Sequence, residues 1–168
     1  MRILLYLIIA LTAASCAHKQ EEADLVVHNA TIYLVDKNFR TAKAMAIVDG
    51  KIVEIGAERQ IMNKYRAEEV VDAANRAIIP ELLTKKDPVA AINQLINDRN
   101  NGIETPQDAI FQLTLVQARK EILDDVQGKL AKGYEASFYI LSMDPIRYPE
   151  GIRELRIAES FKEGERVK

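Results

Sequence analysis

Residues 44–56 read AMAIVDGKIVEIG, and this stretch carries the clearest local structural signal in the chain. Two apolar runs flank the dipeptide Asp49-Gly50. Both central residues of a type I′ turn need a positive φ angle, which Asp-Gly tolerates better than most pairs. The stretch therefore predicts an antiparallel hairpin, and it indicates that strands organise this part of the chain.

Short strands are predicted on both sides of the hairpin. Before it, residues 24–36 (DLVVHNATIYLVD) contain two β-branched runs separated by a turn. After it, residues 57–66 (AERQIMNKYR) place Ile61 and Tyr65 at helical spacing, which predicts a short amphipathic helix. Residues 68–80 (EEVVDAANRAIIP) then return to the strand pattern, with a turn in the middle.

The middle of the chain has the pattern of helices. Asp87 is placed to cap a helix that begins at Pro88 and ends before the Asn-Asn-Gly of residues 100–102. Thr105-Pro106 starts a second helix by the same logic, and that helix contains a break. The apolar residues expected to face the sheet are Ile92, Leu95, Ile96, Ile110, Leu113, Val116, Ile122 and Leu123.

The strand pattern returns after Gly128. Residues 134–141 (YEASFYIL) and 154–161 (ELRIAESF) are predicted strands, and Glu163-Gly164 is a predicted turn before the last strand. The order of strands, helices and strands predicts an α+β fold, in which both ends of the chain build one sheet domain around a helical insert.

Composition agrees with a globular domain. Apolar residues make up 48% of the 168 residues and charged residues 29%, which is enough apolar material for a core. The net charge of −2 gives no electrostatic support for nucleic-acid binding, which usually needs a basic face. Nucleic acid is therefore not an expected partner.

The first sixteen residues, MRILLYLIIALTAASC, differ from the rest of the chain. Arg2 precedes an apolar run that is shorter than the roughly 20 residues needed to span a bilayer. Small residues then lead into Cys16, the single cysteine, and this arrangement resembles a bacterial lipobox. The resemblance implies a signal peptide at residues 1–15, lipidation of Cys16, a tether at residues 16–23 and export to the cell envelope. The alternative is an ordinary signal peptide with a free or buried thiol.

Both halves of the remaining chain resemble one known family. Residues 23–83 and 105–168 resemble parts of the metal-dependent amidohydrolases, most closely those grouped as amidohydrolase family 3. Residues 128–141 (GKLAKGYEASFYIL) follow the family pattern G-x-L-x-x-G-x-x-A-D-F-V-x-L, with Ser137 in place of the aspartate. In that family these segments form a composite β-sandwich beside a catalytic (β/α)₈ barrel. The resemblance implies a small sandwich with halves at residues 24–83 and 128–168.

Between the two family-like segments, this sequence lacks the residues that would form the barrel and its metal ligands. In the family, the proline of "IIP" is followed by an H-x-H pair that binds metal; here Pro80 is followed by ELLTKKDP. A (β/α)₈ barrel needs about 250 residues, and the whole chain has 168. The resemblance therefore implies that a helical connector at residues 84–127 replaces the barrel.

Counting ligands leads to the same expectation. A zinc site uses three or four converging His, Cys, Asp or Glu side chains. The chain has two histidines, with His18 in the tether and His28 at a turn. The pairs Glu21-Glu22, Lys85-Lys86 and Asp124-Asp125 fit a solvated surface. No catalytic, metal-ligating or cofactor-binding residue is predicted, although family members use zinc or another divalent metal, and lipidation of Cys16 is the one predicted modification.

Three functional hypotheses remain open at this point. The chain is a lipid-anchored, barrel-less remnant of an amidohydrolase that is inactive alone, or an accessory lipoprotein that binds another envelope component. As a third alternative, it is one piece of a split enzyme completed by a separate barrel chain. Self-association, or binding of an envelope protein, would use the surface that the barrel vacates.

Overall fold

The computed structural model describes residues 19–97, 103 and 105–167. Cys16, His18 and the predicted helix end at residues 100–102 lie outside this part of the chain. The described residues form these strands: β1 (Glu21–His28), β2 (Thr31–Tyr33), β3 (Thr41–Ala42), β4 (Ala44–Val48), β5 (Lys51–Gly56), β6 (Tyr65–Asp72), β7 (Ala77–Pro80), β8 (Phe138–Leu141), β9 (Ile157–Lys162) and β10 (Glu165–Val167).

The helices lie mostly in the middle of the sequence. They are α1 (Glu58–Lys64), α2 (Pro88–Asn97), α3 (Pro106–Phe111), a π-helical segment (Gln112–Val116), α4 (Gln117–Lys120) and a 3₁₀ helix (Pro149–Glu154). The predicted caps are confirmed: Asp87 Oδ1 accepts the Ala90 N–H at 2.8 Å, and Thr105 Oγ1 accepts the Asp108 N–H at 3.1 Å. Each cap satisfies a backbone donor that the first turn leaves without a partner.

Strands β5-β4-β1-β6, in that spatial order, form a four-stranded sheet, called here the N-terminal sheet. The predicted hairpin at its edge is confirmed, since β4 pairs antiparallel with β5 and the two turn residues, Asp49 and Gly50, have φ angles of 50° and 72°. Strand β6 pairs with β1 in parallel along its length, which α1 makes possible by returning the chain to the starting end of β1.

The second sheet has six strands in the order β10-β9-β8-β7-β2-β3 and is called the composite sheet. Its two halves join where β7 pairs antiparallel with β8, in the register Ile78↔Ile140 and Ile79↔Tyr139. Residues more than 55 positions apart in the chain are thus direct neighbours. The predicted α+β fold, a small sandwich with strands from both ends of the chain and helices between them, is confirmed.

The core lies between the two sheets. It holds buried residues from both chain ends, and the rings of Phe138 on β8 and Phe161 on β9 stack with centroids 4.6 Å apart. Gly128 is needed where the chain passes α4, because a Cβ atom at residue 128 would lie 2.7 Å from the Ala118 Cβ. Close backbone approach of this kind excludes any larger residue.

Helices cover the outer faces of both sheets. Ile61 of α1 is fully buried against the N-terminal sheet. On the composite sheet, Ile79 and Tyr139 contribute to a second apolar cluster with Ile92 of α2 and Ile110 of α3. Leu95, Ile96 and Leu113, which the sequence placed on this face, pack against the same cluster.

Four details of the sequence-based prediction are wrong. Tyr65 belongs to β6 and not to the helix, because the helix ends at Lys64. Strand β1 begins at Glu21, so the last three residues of the predicted tether lie in the sheet. Ile122 is 89% exposed rather than buried. Leu115, and not Val116, is buried in the second cluster, because the π-helical segment rotates the apolar face.

Candidate functional site

The segment after Pro80 corresponds to the position where the resembled family carries its H-x-H pair, and its backbone is fixed on both sides. The Glu81 N–H donates to the Ser137 carbonyl of the composite sheet at 2.9 Å, and the Leu83 N–H donates to the Leu113 carbonyl at 2.8 Å. The Leu82 side chain between them is 3% exposed in the second apolar cluster. This connecting segment, residues 81–87, therefore has a defined structural role.

The π-helical segment explains the bond from Leu83. A π-helical turn shifts hydrogen bonding from i→i+4 to i→i+5 and frees carbonyls from the regular α pattern. Thr114, fully buried, donates its hydroxyl to the Ile110 carbonyl at 2.7 Å, and the Leu113 carbonyl accepts from outside the helix. The irregular helix and the connecting segment thus stabilise each other.

Glu81 is a half-buried titratable group of this segment. Burial raises the pKa of its carboxyl above the ordinary value. The nearby carboxylates of Glu135 and Glu163 also raise this pKa, whereas the positive charge of Lys162 lowers it. The crevice beside it has a volume of about 10 Å³, which is room for about one water molecule. A substrate does not fit there.

Two polar residues of the connecting segment, Lys86 and Asp87, contact helix α2. Asp87 caps its first turn, and the Lys86 Nζ donates to Gln94 Oε1 at 2.5 Å. A divalent metal needs several free oxygen or nitrogen donors that converge on one point. The donor set around residues 81–87 does not fit a metal ion.

His28 lies at the end of β1, away from the connecting segment. Its Nδ1 is 3.0 Å from Glu58 Oε1, so the imidazole links β1 to the first turn of α1. The adjacent Asp72 accepts the Ala74 N–H and the Asn29 side-chain amide at 2.7 Å each, which lowers the pKa of its carboxyl. These contacts give the residues a structural explanation.

Three of the acidic residues singled out in the sequence form ion pairs with basic residues. Glu21 and Glu22 pair with Lys64 and Arg66 at 3.5 and 2.9 Å. Asp124 lies 3.7 Å from Arg119. Such surface ion pairs contribute little to stability. Within residues 19–97, 103 and 105–167, no group of three or more His, Cys, Asp or Glu side chains could hold a metal ion.

One open groove was not predicted from the sequence. It has a volume of about 820 Å³ and is lined by Asp24, Ile47, Asp49, Gly50 and residues 162–167. It forms because two tight turns meet: a Cβ on Gly50 would lie 2.9 Å from the Glu163 carbonyl oxygen. Each turn was visible in the sequence, but their contact depends on long-range pairing between the sheets.

Beside this groove, a series of ion pairs links the two sheets. Arg166 on β10 pairs with Glu69 on β6 at 3.0 Å and also with Glu159 on β9. Glu159 in turn accepts from Arg76 at 2.8 Å. Burial opposes ionisation of Glu159, but hydrogen bonds from the two arginines outweigh it and lower the pKa of its carboxyl.

Comparison with known proteins gives partial structural matches. No family model and no curated protein sequence matches the chain. Among solved structures, a zinc-bound adenosine deaminase from Xanthomonas campestris is 19% identical over 38% of this chain and 15% of its own, with a TM-score of 0.36. A D-hydantoinase is 32% identical over 35% of this chain and 11% of its own, with a TM-score of 0.28.

An enamidase described as a member of the amidohydrolase superfamily is 26% identical over 34% of this chain and 16% of its own, with a TM-score of 0.30. This chain thus spans 11–16% of the length of these three proteins. Among the helices of the described residues, none has the length and apolar character needed to span a membrane.

Proposed function

We propose that this chain is a non-catalytic domain of the bacterial envelope, anchored through an acylated Cys16, which keeps an amidohydrolase-like sandwich without the catalytic barrel. The observation that supports this most is the course of the chain after β7. Residues 81–87 lead from Pro80 directly into α2, and α2 packs back on the composite sheet. A barrel would have to enter the chain at this point.

The chemistry of the connecting segment supports a non-catalytic role. Residues 81–88 contain no histidine: Leu82 is buried, Asp87 caps α2 and Lys86 hydrogen-bonds to it. A hydrolase of this family would need imidazole and carboxylate ligands around a metal-bound water. The proposal therefore predicts no hydrolysis by this chain alone.

The split-enzyme hypothesis is less well supported than the remnant or accessory hypotheses. A separate barrel chain would need an exposed apolar face on which to dock. In the described residues the outer face of the composite sheet is instead covered by α2 and α3. The open groove beside the two turns favours an accessory binding role as the second candidate, with a polar ligand because charged residues line it.

Expression of the full chain in a bacterium that processes lipoproteins tests the proposal. We expect the membrane fraction to contain a chain that begins at an acylated Cys16, detected by intact-protein mass spectrometry, and the Cys16→Ser variant to lose this modification. We also expect no hydrolysis of amides or hydantoins with added zinc. An unmodified Cys16 would contradict the anchor, and turnover that exceeds a Glu81→Gln control preparation and a mock preparation would contradict the non-catalytic role.

A further inference from the structure

Gln20 fixes the point at which the chain enters the N-terminal sheet. Its side-chain amide Nε2 lies 3.2, 3.3 and 3.4 Å from the carbonyl oxygens of Met62, Asn63 and Tyr65. These carbonyls are at the C-terminal end of α1, where a helix leaves acceptors without partners inside the helix. The entering chain is therefore held against the end of α1.

The next residues are fixed by strand pairing. Glu21 and Glu22 of β1 stand opposite Tyr65 and Arg66 of β6 in the parallel register. Arg66 also forms an ion pair with Glu22 at 2.9 Å. From Glu21 onward the chain is part of a paired sheet, and its freedom to move relative to α1 and β6 is lost.

We propose that the end of the N-terminal sheet where β1 and β6 begin faces the lipid headgroups of the membrane. This inference rests on the proposed acylation of Cys16. An extended chain spans at most about 3.6 Å per residue, so the Cα atoms of Cys16 and Gln20 are within about 14 Å of each other. The far end of β1, at His28, is about 23 Å further along the strand. The short tether therefore selects one end of the molecule.

The tether, and not surface charge, sets this orientation. Lys64 and Arg66 at this end are both paired with carboxylates, Lys64 with Glu54 at 2.6 Å and Arg66 with Glu22. The surface consequently carries little uncompensated positive charge that would favour anionic lipids. We expect the same orientation on a zwitterionic bilayer and at about 1 M salt, where the Debye length is about 3 Å.

Energy transfer from single tryptophans tests the orientation, because the chain contains no tryptophan. The mature chain is coupled through Cys16, its single cysteine, to a maleimide lipid in phosphatidylcholine vesicles that carry a dansyl-labelled headgroup. Arg66→Trp, Glu68→Trp and Val70→Trp place the donor at three exposed positions along β6. We expect transfer to decrease in the order 66, 68, 70. Equal transfer, or the reverse order, overturns the proposal.

A spacer variant separates the tether from other causes. Insertion of about twelve Gly and Ser residues after Cys16 adds a root-mean-square reach of about 20 Å, and we expect it to remove the gradient. A gradient that survives the spacer would overturn the role of the tether. The vesicle experiment does not depend on acylation in cells. An unmodified Cys16 in the membrane fraction would contradict the proposed anchor, and the vesicles would still test the orientation of the sheet.

Discussion

Ile122 has a backbone conformation that a β-branched residue rarely adopts, with a φ angle of 61°. It follows the end of the helix that contains α4. The Leu123 N–H bonds to the Ala118 carbonyl at 2.8 Å, and the Ile122 N–H bonds to the Arg119 carbonyl at 3.3 Å. This pair of bonds forms a Schellman motif, whose left-handed position usually holds glycine. Because the side chain is 89% exposed, packing does not offset the strain.

We expect Ile122→Gly to raise the free energy of unfolding by about 0.5–1 kcal/mol. Glycine removes a left-handed strain of about 1–2 kcal/mol and loses part of that gain through its greater freedom in the unfolded chain. Urea unfolding measures the change. Ile122→Ala is the matched control, since it removes the exposed side chain but keeps a Cβ, and it should gain less. A glycine variant less stable than the parent would contradict the assigned strain.

Glu81 makes stability depend on pH at the start of the connecting segment. Because burial raises the pKa of its carboxyl above the ordinary 4.5, the folded chain holds this proton more tightly than the unfolded chain. Stability from this group is therefore present below the unfolded pKa and is lost as pH rises through the folded pKa. We expect Glu81→Gln to be more stable than the parent at pH 7, and this advantage to disappear below pH 4.5.

Glu159 provides a control of opposite sign. The pKa of the Glu159 carboxyl is lowered in the folded chain. The stability that this carboxylate contributes is therefore present above the unfolded pKa and is lost as pH falls through the folded pKa. Glu159→Gln should therefore be less stable than the parent at pH 7, with a smaller difference in acid. Urea unfolding of both variants between acid and neutral pH measures this. Parallel pH curves for the Glu81 variant and the parent would contradict the assignment.

Among the elements, α2 covers part of the outer face of the composite sheet. Ile92 is 1% exposed and packs with Ile79 and Tyr139 on the outer face of the composite sheet. Truncation of a buried isoleucine to alanine costs about 2–5 kcal/mol. We expect Ile92→Ala to lower the free energy of unfolding by that amount and to increase binding of an apolar dye.

Ile122→Ala is the matched control for this prediction, because the same chemical change at an exposed position removes no packing. It should leave dye binding unchanged. If Ile92→Ala were as stable as the parent, α2 would not be needed to cover the sheet, and the account of this face would be wrong.

The elements that could be predicted from sequence are those with local signals. Asp49-Gly50 fixes its own turn, and Asp87 and Thr105 cap the helices that they precede, because each interaction closes within a few residues. The π-helical segment could be predicted only as a break. Its register depends on the bond between Leu83 and Leu113, which are distant in sequence, so the burial of Leu115 in place of Val116 had no local signal.

For the whole molecule, the order of strands, helices and strands predicted that both ends of the chain build one sheet domain. It did not predict which strands pair, and the structure shows that β7 and β8 join the two halves. The groove could not be predicted in the same way, because it forms where the turns at Gly50 and Glu163 meet. The placement of the connecting segment as a fixed link between sheet and helix also depends on long-range bonds to Ser137 and Leu113.

We propose that this chain closes its own sandwich and holds no catalytic metal. The most direct test is the metal-to-protein ratio, measured by inductively coupled plasma mass spectrometry on the size-exclusion peak of the mature chain after incubation with excess zinc. We predict a monodisperse monomer with far less than stoichiometric metal, because the donors around residues 81–87 are engaged in caps and packing. Stoichiometric zinc that remains with the monomer after the column would contradict the account.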